Sequence, residues 1–157
     1  MKYLFFLIML FPSTEPEKAP FASSKDVRQY LVDKAEKYLG LRYRSKVGNN
    51  VMDCSGYVRH LMTDVGIKVT RSSVSQVHDG DRVHQLNEAK PGDILVFKGR
   101  NSSKNTPGHV GIAHHWANDT SYFIHSSVTK GITIDHMFDP YYAKRFLQVR
   151  DVISRNF

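Results

Sequence analysis

A single cysteine, Cys54, stands among the 157 residues. A lone thiol has no intrachain disulfide partner, so it is either a small buried side chain or a reactive one. Its neighbours favour reaction. In Met52-Asp53-Cys54-Ser55-Gly56-Tyr57-Val58, Asp53 suits a helix N-cap, and Tyr57, Val58, Leu61, Met62 and Val65 recur at helical spacing. Cys54 therefore falls in a first helical turn, where free backbone N–H groups and the positive end of the helix dipole favour a thiolate and lower the thiol pKa.

A thiol nucleophile needs a base, and the base needs an orienting group. The chain has eight histidines. His109 opens an apolar stretch directly after Pro107-Gly108, and His125 lies in a second such stretch sixteen residues on. If the two stretches are strands paired in an even register, His109, Gly111, Ala113 and His125 share one face. The small residues between the imidazoles then make room for the helix start that carries Cys54. In that arrangement His109 takes the thiol proton and gives one to a leaving amine, while His125 holds the His109 ring in its useful tautomer. Zinc is the rival use of His109, His114, His115 and His125. Alternation sends His114 to the opposite face, and no HExxH pattern supplies a base, so no metal site is expected. His60, His78, His84 and His136 read as surface or satisfied side chains.

The positioning elements follow from pattern and punctuation. A helix is expected from about Lys25 to Leu39, with Val27, Leu31, Ala35 and Tyr38 or Leu39 on its apolar face and Gly40 as its stop. The Cys54 helix ends near Gly66, and Arg71 to Gln76 is a polar stretch with room for a short helix. Lys90-Pro91-Gly92-Asp93 is a turn that launches the strand Ile94-Leu95-Val96-Phe97. After a polar loop from Gly99 to Gly108, strands over His109–Trp116 and Tyr122–Ser126 flank a turn at Asn118-Asp119. Gly131 to Ile134 is a further strand, and a last element carries Tyr141, Tyr142, Phe146, Val149, Val152 and Ile153. Helices first and strands later argue an α+β fold.

The formal net charge of +7 suits an anionic partner such as a nucleic acid, a membrane surface or a wall polymer. No dense Lys/Arg run interleaved with aromatics appears, which argues against a nucleic-acid groove. Lys2 followed by nine apolar residues, Tyr3 to Phe11, and then Pro12 is too short to span a bilayer and reads as a secretory signal. Residues 1–22 are assigned to signal and linker. Ala22 is the candidate last residue, although Pro20 fits a small-x-small site poorly. Export makes an unpaired thiol a liability unless it is buried or used. No cysteine lies near the end of the signal to accept a lipid, so the expectation is a protein of the periplasm or cell envelope, held to the membrane at most loosely through an uncleaved N-terminus.

Five motifs in order carry a resemblance: Asp53 to Val58; Arg71-Ser72-Ser73 with Gln76; Pro91 to Phe97; Gly108-His109-Val110-Gly111-Ile112; and Phe123-Ile124-His125-Ser126-Ser127 with Gly131. Together they resemble the NlpC family of bacterial cell-wall endopeptidases, and the layout is most similar to its Spr-type murein endopeptidases. The resemblance implies a papain-like domain over residues 25–157, with a nucleophile helix packed against a small antiparallel sheet. It implies Cys54 as nucleophile, His109 as base and His125 as third polar residue. It also implies Tyr43 as an oxyanion donor beside the nucleophile, and Asp53, Ser55, Arg71 and Ser72 along the substrate cleft. It implies no cofactor and peptidoglycan stem peptides as substrate, and the chain is expected to be a monomer. Spr-type enzymes cut the D-alanyl–diaminopimelate cross-link, and other members cut γ-D-glutamyl–diaminopimelate. A catalytically silent wall-binding protein and an amidase or acyltransferase are the readings from other classes. The sequence departs from the family at Ala113, where a bulky residue is usual, and in the length of the hairpin and of the loop before His109; both changes flank the expected cleft.

Overall fold

The structure, a computed structural model, describes residues 21–157. The apolar run Tyr3 to Phe11 and the assigned signal through residue 20 lie outside the described residues. Helix α1 (Ser24–Glu36) starts where the Ser23 side chain accepts the Asp26 N–H and buries Val27, Leu31 and Ala35. It stops three residues short of the expected Leu39. There Lys37, Tyr38 and Leu39 bond back three residues instead of four, tightening the chain toward Gly40 at φ +82°. A two-residue hairpin follows, β1 (Lys46–Val47) with β2 (Asn50–Val51). Helix α2 (Cys54–Asp64) begins where Asp53 Oδ1 accepts the Gly56 N–H at 2.7 Å. A cap of this kind contributes about 1 kcal/mol. Tyr57, Val58, Leu61 and Met62 form its buried stripe.

A short helix α3 (Ser73–Gln76) and strand β3 (Asp81–Val83) precede the main sheet strands β4 (Ile94–Lys98), β5 (Pro107–Ala117), β6 (Thr120–Ser127) and β7 (Gly131–His136). Helix α4 (Pro140–Arg145) and β8 (Phe146–Asp151) complete the order. All sheet pairings are antiparallel, and the six strands run β3-β8-β4-β5-β6-β7. The expected hairpin turn holds: Asn118 and Asp119 both take positive φ, 49° and 55°, as a two-residue turn with the twist of its strands requires. The fold is α+β and papain-like, with the Cys54 helix against an antiparallel sheet.

The sheet has two apolar faces. Ile94, Val96, Val110, Ile112, Ile124 and Ile132 pack with α1 and α2. Leu95, Phe97, Ala113 and Phe123 pack on the other face with Tyr142 of α4 and Val149. Arg28 ties α1 to the sheet ends through a buried pair with Asp93 at 2.6 Å and a second with Asp151 at 2.9 Å.

Candidate active site

The even register places His109 and His125 together. Ile112 stands opposite Ile124, and Nε2 of His109 lies 2.9 Å from Nδ1 of His125. The expected use of Gly111 needs correction. The rings pack among Phe97, Phe123 and Tyr142, on the sheet face turned away from α2. Gly111 makes room for His125 itself: a Cβ there would sit 2.9 Å from His125 Cβ and 3.0 Å from the Ile124 carbonyl. Helix α2 reaches the pair from the opposite face through its first residue. The Cys54 sulfur accepts a hydrogen bond from the Val110 backbone, next to His109.

Asp135 extends the chain of contacts and was missed by sequence reading. Its Oδ2 lies 3.0 Å from His125 Nε2 and accepts the Tyr142 hydroxyl at 3.1 Å, while Oδ1 accepts Lys130 Nζ at 2.8 Å. The bond to His125, helped by Lys130 and Tyr142, holds the Asp135 carboxyl well below the usual carboxylate range. An ionised carboxylate only accepts, so His125 Nε2 carries a proton, and in the neutral ring Nδ1 is then the acceptor. His109 Nε2 is then the N–H, and His109 Nδ1 keeps its lone pair. Asp135 thus sets the tautomer of both imidazoles.

Burial, reinforced by the nearby His125, pushes the His109 pKa down to about 3 against the pull of Asp135, so the imidazole is neutral. The expectation of a depressed thiol pKa is reversed. Cys54 is only 8% exposed, and burial raises its pKa, although hydrogen bonds from the Val110, Ser55 and Cys54 backbones oppose the rise. At rest Cys54 is therefore a thiol and His109 a neutral imidazole.

Tyr43 is half-buried, and burial followed by the charges of Cys54 and Asp53 raises its phenol pKa, which keeps it a donor. Asp53, Ser55 and Arg71 form one cluster at the start of α2. Arg71 donates to Asp53 Oδ1 at 3.0 Å, to Asp53 Oδ2 at 2.7 Å and to Ser55 Oγ at 3.0 Å. Burial works to raise Asp53, but Arg71 and the capped Gly56 N–H outweigh it and hold the carboxyl low. Ser72 does not join this cluster; its hydroxyl caps α3, accepting the Ser75 N–H at 3.1 Å. Buried Gln76 bridges the Ser55 and Thr70 carbonyls through Nε2 and pins the start of α2 to the chain before α3. The four histidines weighed as zinc ligands divide into two pairs. His114 bonds Glu36 of α1 at 2.8 Å and His115 at 2.6 Å, apart from His109 and His125.

A cleft of about 360 Å³ opens beside the imidazoles, walled by Phe97 and Lys98, by residues 127–130 and by Asp139, Tyr141 and Arg145.

The NlpC/P60 family model matches residues 40–151. The Escherichia coli K12 murein DD-endopeptidase MepS/murein LD-carboxypeptidase is 29% identical over 136 residues, 83% of this chain and 66% of that protein. The chain thus spans slightly less than two thirds of that relative. The probable endopeptidase NlpC of the same organism is 30% identical over 139 residues, 87% of this chain and 86% of that protein. Among solved structures, the peptidoglycan hydrolase RipB of Mycobacterium tuberculosis shares the fold with a TM-score of 0.63 and 23% identity, over 88% of this chain and 72% of that one.

Proposed function

The chain belongs to the NlpC/P60 family, and from that premise we propose that it is a cysteine endopeptidase of the cell envelope that hydrolyses peptidoglycan stem peptides, with the D-alanyl–diaminopimelate cross-link as its bond. The observation that carries this reading is the relay from Asp135 through His125 to His109, which leaves one bare nitrogen for the thiol at the start of α2. Cys54 Sγ attacks the carbonyl as its proton passes to His109 Nδ1. The developing oxyanion meets the Cys54 backbone N–H and the Tyr43 hydroxyl. His109 then gives the proton to the leaving amine as the C–N bond breaks. Water, deprotonated by His109, attacks the thioester, releasing the carboxylic acid and restoring the thiol. Asp53, Ser55 and Arg71 bind the substrate on the acyl side, and Ser72 supports them through the fold of α3. The protein works as an exported monomer, and its net charge of +7 suits a wall rich in carboxylate and phosphate. No helix among the described residues is long and apolar enough to cross a membrane.

The test is a digest of monomeric and cross-linked muropeptides by the protein and its Cys54→Ala variant, read by mass spectrometry. Cys54-dependent conversion of cross-linked dimers to intact monomers is expected. Cleavage of monomers between D-glutamate and diaminopimelate would keep the mechanism and change the bond. No cleavage of either would return the chain to wall binding or to another acyl substrate.

A further inference from the structure

The cleft beside the imidazoles carries cations that the proposed reaction leaves unused. Lys98, Lys130 and Arg145 line it against one acid, Asp139. Asp139 is occupied in capping α4, where it accepts the Tyr141 N–H at 2.8 Å, and Lys130 is engaged with Asp135. Among the described residues Lys98 gives its ammonium only to the Ser102 carbonyl, at 3.2 Å. Arg145 lies with its guanidinium carbon 3.8 Å above the Tyr141 ring and donates Nη1 to the Tyr141 carbonyl. Its Nε is buried with no partner, and no carboxylate pairs with it among the described residues. Nε is closed to a ligand, and Nη2 makes no hydrogen bond among the described residues, so the guanidinium keeps one end for a single charge-assisted bond to a carboxylate oxygen.

The cleft also has a defined side. Its wall includes both imidazoles but not Cys54, which packs with the core on the α2 side of the sheet. A general acid releases the amine on its own side, so the cleft faces the leaving half of the substrate. We propose that Arg145, assisted by Lys98, binds a free carboxylate on the carbon that bears the leaving amine. The inference rests on the peptidase reading and refines it. In the D-alanyl–diaminopimelate bond, the leaving nitrogen sits on a carbon whose carboxylate is free. In γ-D-glutamyl–diaminopimelate within a longer stem, the neighbouring carboxyl is tied up in the next amide. The cleft selects the cross-link by this difference.

The test uses two synthetic D-alanyl–diaminopimelate peptides that differ only in a carboxylate or a carboxamide beside the scissile nitrogen. Calorimetry of the full-length Cys54→Ala protein should give about tenfold or more tighter binding of the acid, the size of one charge-assisted bond. Arg145→Gln should erase that preference, and Arg145→Lys should keep part of it. Lys98→Gln, which leaves α4 untouched, should weaken acid binding in the same direction. Equal binding of the two peptides, or an undiminished preference in Arg145→Gln, overturns the proposal. The two readings fail separately. Acid-selective binding without turnover by the unaltered protein sinks the peptidase and keeps the cleft, whereas equal turnover of both peptides keeps the peptidase and sinks the cleft.

Discussion

Asp135 Oδ2 lies 3.0 Å from His125 Nε2, and this one bond fixes the proton on each imidazole nitrogen as far as the thiol. Its partner Lys130 decides what an amide would do there. Lys130 donates into Oδ1, so in Asp135→Asn the amide oxygen stays with the ammonium and the NH2 group turns to His125. His125 Nε2 must then accept, Nδ1 becomes the N–H, and His109 is left with its proton facing Cys54. Turnover in Asp135→Asn should fall about a hundredfold or more, following the cost of a wrong tautomer in related triads. Asp135→Ala, which imposes no tautomer, should lose less. Steady-state kinetics of the two variants checks the order, and a milder Asn than Ala would refute it.

His125 should obey the same logic. His109 Nε2 needs only an acceptor at 2.9 Å, so His125→Asn and His125→Gln should retain more activity than His125→Ala. Equal losses in all three would remove the orienting role. Cys54→Ala and His109→Ala should each abolish turnover with the circular dichroism spectrum unchanged.

The pH dependence follows from a neutral pair. The His109 pKa is driven down to about 3 by burial, so kcat/KM should keep its base well below pH 6 and lose it only as pH approaches 3. Cys54 is raised by burial, so iodoacetamide at pH 6 should react no faster than with an ordinary thiol, and the rate should climb above pH 9. A fast, pH-independent alkylation would instead demand a resting thiolate. Stability moves in the same window. The unfolded chain protonates His109 near its ordinary pKa of about 6.5, whereas the folded chain resists, so unfolding takes up a proton and stability rises with pH between about 3 and 6.5. Thermal midpoints across that range should fall on acidification, with a shallower slope in His109→Gln.

Much of this site was legible before the fold. Asp53, Cys54 and the apolar spacing behind them are local signals, and local geometry made them a capped helix start. The even register of β5 and β6 was only a condition in the sequence: the turn pairs Ala117 with Thr120, and a shift between Ala113 and His115 brings Ile112 opposite Ile124. Other features needed three dimensions. The α2 side of the sheet went unread because alternation assigns faces without saying which face a helix covers. The thiol pKa went the wrong way because the helix terminus is visible in sequence, whereas the burial that outweighs it is not. Asp135 left a faint trace: in Gly131-Ile132-Thr133-Ile134-Asp135, the two isoleucines share one face, which puts Thr133 and Asp135 on the other beside His125. Arg145 left none, since a lone arginine in a polar helix looks like any solvated charge.

The fold depends on one buried guanidinium far from the thiol. Arg28 joins α1 to Asp93, which is fully buried at the entrance to β4, and to Asp151 at the end of β8. Burial raises the Asp93 pKa, and Arg28 and the Lys90 N–H work against that rise. Removing Arg28 leaves the carboxyl buried without its cation. Arg28→Ala should therefore cost about 3–5 kcal/mol of unfolding free energy, the range for breaking one side of a buried pair. The double variant Arg28→Met with Asp93→Leu removes both buried charges and should recover much of that loss, since an apolar replacement of a buried pair is often close to neutral. Urea denaturation of the three proteins decides it. A single variant within about 0.5 kcal/mol of the parent, the range of an ordinary surface substitution, would mean that water already reaches the pair.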